Sequence, residues 1–101
     1  MEAYCLIKTP VACQSDYTIY YEYWEQKIWT HTDVYKWTPR VAKEFAQVHG
    51  MLNIIAGQPF YCLVDNPKLA KFVKQLGYEF LTDVTCIDNI QRSIYKYGRN
   101  H

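Results

Sequence analysis

The sequence is poor in the residues that mark several common protein classes. Its 101 residues include only four glycines, four prolines and four cysteines. None of the cysteines forms a CxxC pair and the three histidines are scattered, so no zinc-site spacing is present and no bound metal is predicted. We therefore expect the thiols to be reduced and mostly buried, in a cytoplasmic protein.

Net charge and long apolar runs are lacking as well. Eleven Lys and Arg against ten Asp and Glu give a net charge of +1, so composition does not favour nucleic acid as a partner. No apolar run approaches the ~20 residues of a membrane span, and Met1–Ala3 is not a basic targeting start. We expect no membrane association.

Hydrophobic and aromatic residues are abundant instead. They make up 50% and 17% of the chain, with ten tyrosines and three tryptophans. A chain of this size and composition buries one core, so residues 1–101 are predicted to form a single domain. Tyrosine combines an apolar ring with a polar tip, which suits a half-exposed sheet face or a protein interface.

The first half of the sequence predicts β-strands. Residues 17–24 are dense in β-favouring side chains, and residues 27–34 alternate in polarity, so the two runs predict an antiparallel hairpin that turns at Glu25-Gln26. A short apolar run at 3–7 precedes them. Alternation places His31 and Asp33 on one face of the second strand.

A helix is predicted after this hairpin. Thr38 is a suitable N-cap, Pro39 a suitable first residue and Gly57 a suitable stop. The apolar stripe of this helix is predicted at Val41, Phe45, Val48, Leu52 and Ile55. Asn53 lies off that stripe.

The second half predicts a strand, a helix and a closing hairpin. Residues 60–64 are continuously apolar, as in a strand buried on both faces. Asn66 caps a helix that ends at Gly77, and residues 78–87 and 90–97 form the hairpin. The predicted fold class is α+β: a twisted mixed sheet, mostly antiparallel with one parallel pair, and two helices. Ligands of such sheets bind at the C-terminal ends of parallel strands.

Residues 66–79 carry a family resemblance. Asn66, Phe72, Leu76, Gly77 and Tyr78 fall in register with a segment of the GNAT family of acyl-CoA N-acyltransferases, and the order of elements from residue 17 to 97 is similar. The resemblance implies a GNAT-like fold truncated at the N-terminus, with acetyl-CoA as acyl donor. Mapped onto this chain, the donor site would involve Lys36, Thr38, Arg40, Val64 and Asn66.

Two departures from the family pattern concern catalysis. Family members hold the CoA pyrophosphate with a glycine-containing loop, whereas residues 35–42 contain no glycine and Pro39 lacks an amide donor. Lys36 and Arg40 would have to supply charge instead. Many family members also use a tyrosine as general acid where this chain has Val73. His31 is the candidate general base, because some members place a base on that strand; Glu22 and Glu25 are further candidates.

Two functions stay open at this point. One is an acyl-CoA N-acyltransferase-like activity with a degenerate cofactor site. The other is a non-catalytic protein, similar to short GNAT-like phage proteins, that acts in the host cytoplasm or the virion by binding a protein partner or another copy of itself. That contact would use an aromatic sheet face, for which the sequence offers Tyr17, Tyr20, Tyr21, Tyr23, Trp24, Trp29, Tyr35 and Trp37.

Overall fold

A six-stranded sheet with two helices forms the fold. The computed structural model describes residues 7–98. In chain order the elements are β1 (Thr9–Cys13), β2 (Tyr17–Trp24), β3 (Lys27–Val34), α1 (Pro39–Ala56), β4 (Phe60–Val64), α2 (Pro67–Leu76), β5 (Glu79–Thr85) and β6 (Gln91–Tyr97). The strands are ordered β1-β2-β3-β4-β6-β5, and only β3 and β4 are parallel among the described strands. The predicted fold class is confirmed.

The β2–β3 hairpin has the predicted bounds. Its two-residue turn places Glu25 at φ 52° and Gln26 at φ 63°. Positive φ at both central residues gives the backbone twist that matches antiparallel strands, so this turn fixes the register. Glu22 consequently lies opposite Trp29, and Tyr20 lies opposite His31.

The helices begin and end where the capping residues predict. The Thr38 hydroxyl accepts a hydrogen bond from the Val41 amide at 3.1 Å, and Asn66 Oδ1 accepts one from the Leu69 amide at 2.8 Å. Each side chain thereby satisfies one of the amides that a helix start leaves without an intrahelical acceptor.

Both helices pack on the same face of the sheet. The core contains Tyr17 and Ile19 against Val41 and Phe45, and continues through a second cluster. That cluster comprises Tyr21, Ile28, Phe60, Cys62, Val64, Val73, Tyr78 and Tyr95. The other side of the sheet, which we call the open face, carries Tyr20, Glu22 and Trp24 of β2, Lys27, Trp29, His31 and Asp33 of β3, and Tyr61 and Leu63 of β4. Within residues 7–98 no helix packs on it.

Two predictions on the strands need correction, and a third falls almost entirely outside the described residues. The apolar run at 3–7 lies almost entirely outside the described residues, and the strand that pairs with β2 is Thr9–Cys13, which the sequence did not indicate because Thr9-Pro10 resembles a loop. In β4, Leu63 is 42% exposed, so this strand is not buried on both faces. The predicted aromatic sheet face is also incomplete, because the side chains of Tyr17 and Tyr21 are buried in the core instead of lying on the open face.

The predicted apolar stripe of α1 is wrong at its C-terminal end. Ile55 is 78% exposed, whereas His49 and Asn53 are buried. The side chain of Asn53 is accommodated because its Nδ2 donates to the Gln58 carbonyl at 3.0 Å. The helix can place these polar residues inward because of their neighbours. The Tyr97 ring of β6 lies 4.6 Å from the His49 ring, and Gly98, which follows β6, lies beside Asn53.

Candidate functional site

The parallel strands β3 and β4 separate soon after they meet. Their pairing consists of Ile28 with Phe60 and Trp29 with Tyr61. Beyond it, β3 continues to Val34 and β4 to Val64, paired only with their other neighbours. The inner edges of the two strands therefore carry backbone N–H and C=O groups that no strand takes up, which suits an extended ligand with amide groups. We call the space between these two edges the cleft.

A histidine–carboxylate pair lies beside the cleft on the open face. His31 is the first open-face residue of β3 beyond Trp29, and its Nε2 forms a hydrogen bond with Glu22 Oε1. The His31 side chain is 37% exposed and that of Glu22 is 17% exposed. A carboxylate that holds one ring nitrogen orients the imidazole and leaves the other nitrogen for a proton, which is the arrangement of a general base.

The sequence placed Asp33 beside His31, but the structure gives Asp33 another partner. Its carboxylate accepts a hydrogen bond from the Tyr20 hydroxyl at 3.0 Å. This bond to the carboxylate raises the pKa of Tyr20 to about 12. The partner of His31 is Glu22, on the neighbouring strand. Because the hairpin register puts Glu22 and His31 on one face at diagonal positions, a two-residue turn at Glu25-Gln26 would have been enough to find this pair.

On the core side, a chain of hydrogen bonds closes the cleft. Thr30 Oγ1 lies 2.8 Å from the Tyr78 hydroxyl and donates to the Tyr61 carbonyl at 3.5 Å. The Tyr78 hydroxyl also lies 2.8 Å from His49 Nε2. Burial lowers the pKa of His49 to about 4 and holds the pKa of Tyr78 well above its usual range. Both groups are therefore neutral at pH 7 and form a buried part of the wall of the cleft.

The predicted donor-binding residues lie around the C-terminal end of the cleft. Lys36, Thr38 and Arg40 are in the connection from β3 to α1, where Lys36 and Arg40 are exposed. Thr38 is occupied as the N-cap, and its carbonyl accepts from the Ala42 amide at 2.8 Å. With Pro39 lacking an N–H, the Arg40 amide is the first-turn donor that remains for an anion in this part of the chain.

Val64 is the last residue of β4, and Asn66 follows it. Both lie where β4 faces β6 rather than β3. The Val64 side chain is buried in the core, and Asn66 donates to Asp65 at 3.0 Å besides capping α2. Both line a polar cavity of about 320 Å³ together with Arg92 and Ser93 of β6. The structure thus brings the predicted residues to one edge of the sheet in two groups, and within residues 7–98 no side-chain hydrogen bond or ion pair joins the groups.

The Trp37 ring lies between α1 and α2. Its ring centroid lies 5.8 Å from that of Phe45 on α1 and 5.3 Å from that of Phe72 on α2. A ligand arm that passes between the two helix starts would have to displace this ring or pass over it.

The described cysteines offer no activated thiol. Cys62 lies on β4 beside the cleft, but burial raises its pKa to about 12, so the nucleophilic thiolate does not form near neutral pH. Cys13 is exposed and Cys86 half-buried, which corrects the expectation of mostly buried thiols. In residues 7–98 no three His, Cys, Asp or Glu side chains are grouped as metal ligands, and no helix is long and apolar enough to cross a membrane.

Comparison with known proteins supports the fold. No family model matches the sequence, and no curated protein is significantly similar to it. Among solved structures, the chain is similar to a protein from Bordetella pertussis provisionally described as a GnaT-family acetyltransferase, with a TM-score of 0.64 and 13% sequence identity. The match covers 96% of this chain and 68% of that one. The fold is therefore GNAT-like, and at this identity the likeness shows the fold alone.

Proposed function

We propose that this protein is an N-acyltransferase that binds an acyl-CoA in the cleft and transfers the acyl group to an amine on the open face. The observation that carries the proposal is the position of the His31–Glu22 pair. His31 is the next residue of β3 on the open face after Trp29, where the pairing with β4 ends. A thioester held between the strand edges would meet this imidazole from the open face. The GNAT-like fold supports the same site.

The chemistry uses few side chains. The amine nitrogen loses a proton to His31, directly or through water, and attacks the thioester carbonyl carbon. The C–N bond forms, the nitrogen releases its second proton to solvent, the C–S bond breaks, and the thiolate leaves with the electron pair. His31 then returns its proton to solvent. Backbone N–H groups on the cleft edges stabilise the oxyanion. Because Val73 cannot donate a proton, the thiolate takes its proton from solvent.

Calorimetric titration with acetyl-CoA and with CoA tests the binding half of the proposal. We expect a Kd below roughly 100 µM, or about −5.5 kcal/mol, because Arg40 and its amide are available to the phosphates. Arg40→Ala should weaken binding, whereas Lys43→Ala, which removes an exposed cation from the same helix, should not. Failure of the unchanged protein to bind either ligand at millimolar concentration would contradict the proposal.

A second candidate function rests on the glycine-free start of α1. Pro39, the Thr38 cap and the Trp37 ring leave little room and few donors for a pyrophosphate. On this alternative the GNAT-like fold is non-catalytic and the open face binds a protein partner or a second copy of the chain. A phage origin would make that partner a virion component or a host protein.

Sedimentation velocity separates the two forms of this second candidate. A second copy on the open face would give a dimer that Trp24→Lys dissociates, since a lysine among packed rings is costly to desolvate. A monomer at all concentrations, together with absent CoA binding, would leave a different protein as the partner.

A further inference from the structure

Three aromatic rings form a row across the open face. The Trp24 ring lies 6.2 Å from the Trp29 ring, which lies 5.5 Å from the Tyr61 ring. The three residues stand on β2, β3 and β4, so the row crosses the closed end of the cleft. Trp24 is 44% exposed, and Trp29 and Tyr61 are half-buried. We call this row the aromatic shelf.

The backbone and neighbouring strands fix the shelf. Trp29 Nε1 donates to the Trp24 carbonyl at 3.3 Å, which fixes the orientation of the indole. Its plane is tilted by 58° from that of Trp24 and by 41° from that of Tyr61. Lys27 Nζ lies 5.9 Å from the centre of the Tyr61 ring, so a cation already lies over the face of this ring. An ordered ring that is half exposed loses little entropy when a flat ligand stacks on it.

Charge is distributed unequally along the shelf. Lys27 of β3 and Lys96, which lies opposite Tyr61, are on the side of β4. Glu22 of β2 pairs with His31. This carboxylate attracts an ammonium group, and the rings beside it attract an aromatic body.

Resting on the function proposed above, we propose that the acceptor is an arylalkylamine whose ring stacks on Trp29 and whose amine reaches His31. Trp29 and His31 are two residues apart on one strand face, about 6.6 Å along the strand. A two-carbon linker between ring and amine fits that separation. The amine then lies beside Glu22 and at the edge of the cleft, where the thioester would be attacked.

Ligand-observed NMR titration without any CoA tests this acceptor class. The probes are phenethylamine and cyclohexylethylamine, which match in size and charge but differ in aromatic character. We expect phenethylamine to bind about five-fold more tightly, the ratio that an aromatic pair contributes beyond its area. Trp29→Leu should abolish the preference, and Trp37→Leu, which removes an exposed indole from the opposite side of the sheet, should preserve it.

The unchanged protein supplies a readout that does not depend on the folding of Trp29→Leu. Its three indole N–H signals can be assigned with Trp24→Phe and Trp37→Phe, and phenethylamine should shift the Trp29 signal most. Equal affinity for the two amines, a preference retained in Trp29→Leu, or a shift confined to Trp37 would each overturn the inference. Absent acetyl-CoA binding with intact aromatic preference would instead refute the transferase function and leave an aromatic-amine site.

Discussion

His49 Nε2 lies 2.8 Å from the Tyr78 hydroxyl, and both side chains are buried. His49 Nδ1 has no partner, so the tautomer that carries its proton on Nε2 leaves only a lone pair unsatisfied. In that tautomer, His49 donates to Tyr78, Tyr78 donates to Thr30, and Thr30 donates to the Tyr61 carbonyl. The relay ties α1 to the closed end of the cleft.

Removal of the Tyr78 hydroxyl should destabilise the fold. Tyr78→Phe leaves a buried His49 donor and the Thr30 hydroxyl without their partner, which costs about 1–3 kcal/mol. Urea denaturation measures the loss. Tyr23→Phe is the control, because Tyr23 is 61% exposed and its hydroxyl can bond to water. Equal stability of the two variants would show that the relay contributes nothing net.

Stability should fall in mild acid because of His49. Burial lowers its pKa to about 4 in the folded protein from the ordinary value of 6.5. Above pH 6.5 both states are neutral and the group contributes nothing. As pH falls from 6.5 towards 4, the unfolded chain takes up the proton first, so folding loses about 2 kcal/mol by pH 5.

A variant that lacks only the His49 imidazole isolates this contribution from that of the carboxylates. His49→Gln keeps an amide donor for Tyr78 but does not titrate, so its free energy of unfolding should decline less between pH 7 and pH 5 than that of the unchanged protein. Parallel pH curves for the His49→Gln variant and the unchanged protein would contradict a buried, neutral His49.

Gly98 should tolerate alanine less well than Gly57. Both have positive φ, 87° and 70°, which costs an alanine about 1 kcal/mol or more. A Cβ on Gly98 would lie 2.4 Å from Asn53 Oδ1, whereas one on Gly57 meets nothing within 4 Å. We expect Gly57→Ala to lose about 1 kcal/mol and Gly98→Ala at least twice that in urea denaturation. Similar losses would mean that Asn53 moves aside freely.

Sequence patterns over a few neighbouring residues predicted the elements whose bounds those residues set. The β2–β3 hairpin follows from alternation and a two-residue turn, and both helices follow from Thr38, Asn66 and their caps. The strand β1 was missed because its pairing with β2, rather than its own composition, makes it a strand. The inward position of His49 likewise depends on Tyr78 and Tyr97, which are distant in sequence.

The candidate site was predicted less completely than the fold. His31 was identified on its strand, but its pairing with Glu22 requires the register. The separation of β3 from β4 after Trp29 has no signal in either strand alone, because it is a property of how the two strands pair. The aromatic shelf combines residues from three strands, which only the topology brings together.

The His31–Glu22 pair yields the most direct test of catalysis. Once an acceptor amine is found, His31→Gln should lower kcat by about 10²-fold, the lower end of what a positioned base contributes. Acetyl-CoA affinity should be unchanged, because His31 faces the acceptor side. Glu22→Gln should lower kcat less, since it removes the orienting carboxylate but leaves the imidazole.

Stopped assays at saturating acetyl-CoA, with binding measured separately by calorimetry, distinguish a base from a binding residue. Asp33→Asn is the matched control, because this carboxylate lies on the same strand face but pairs with Tyr20. A loss of acetyl-CoA affinity equal to the loss of rate would assign His31 to binding and leave the amine to be deprotonated by solvent.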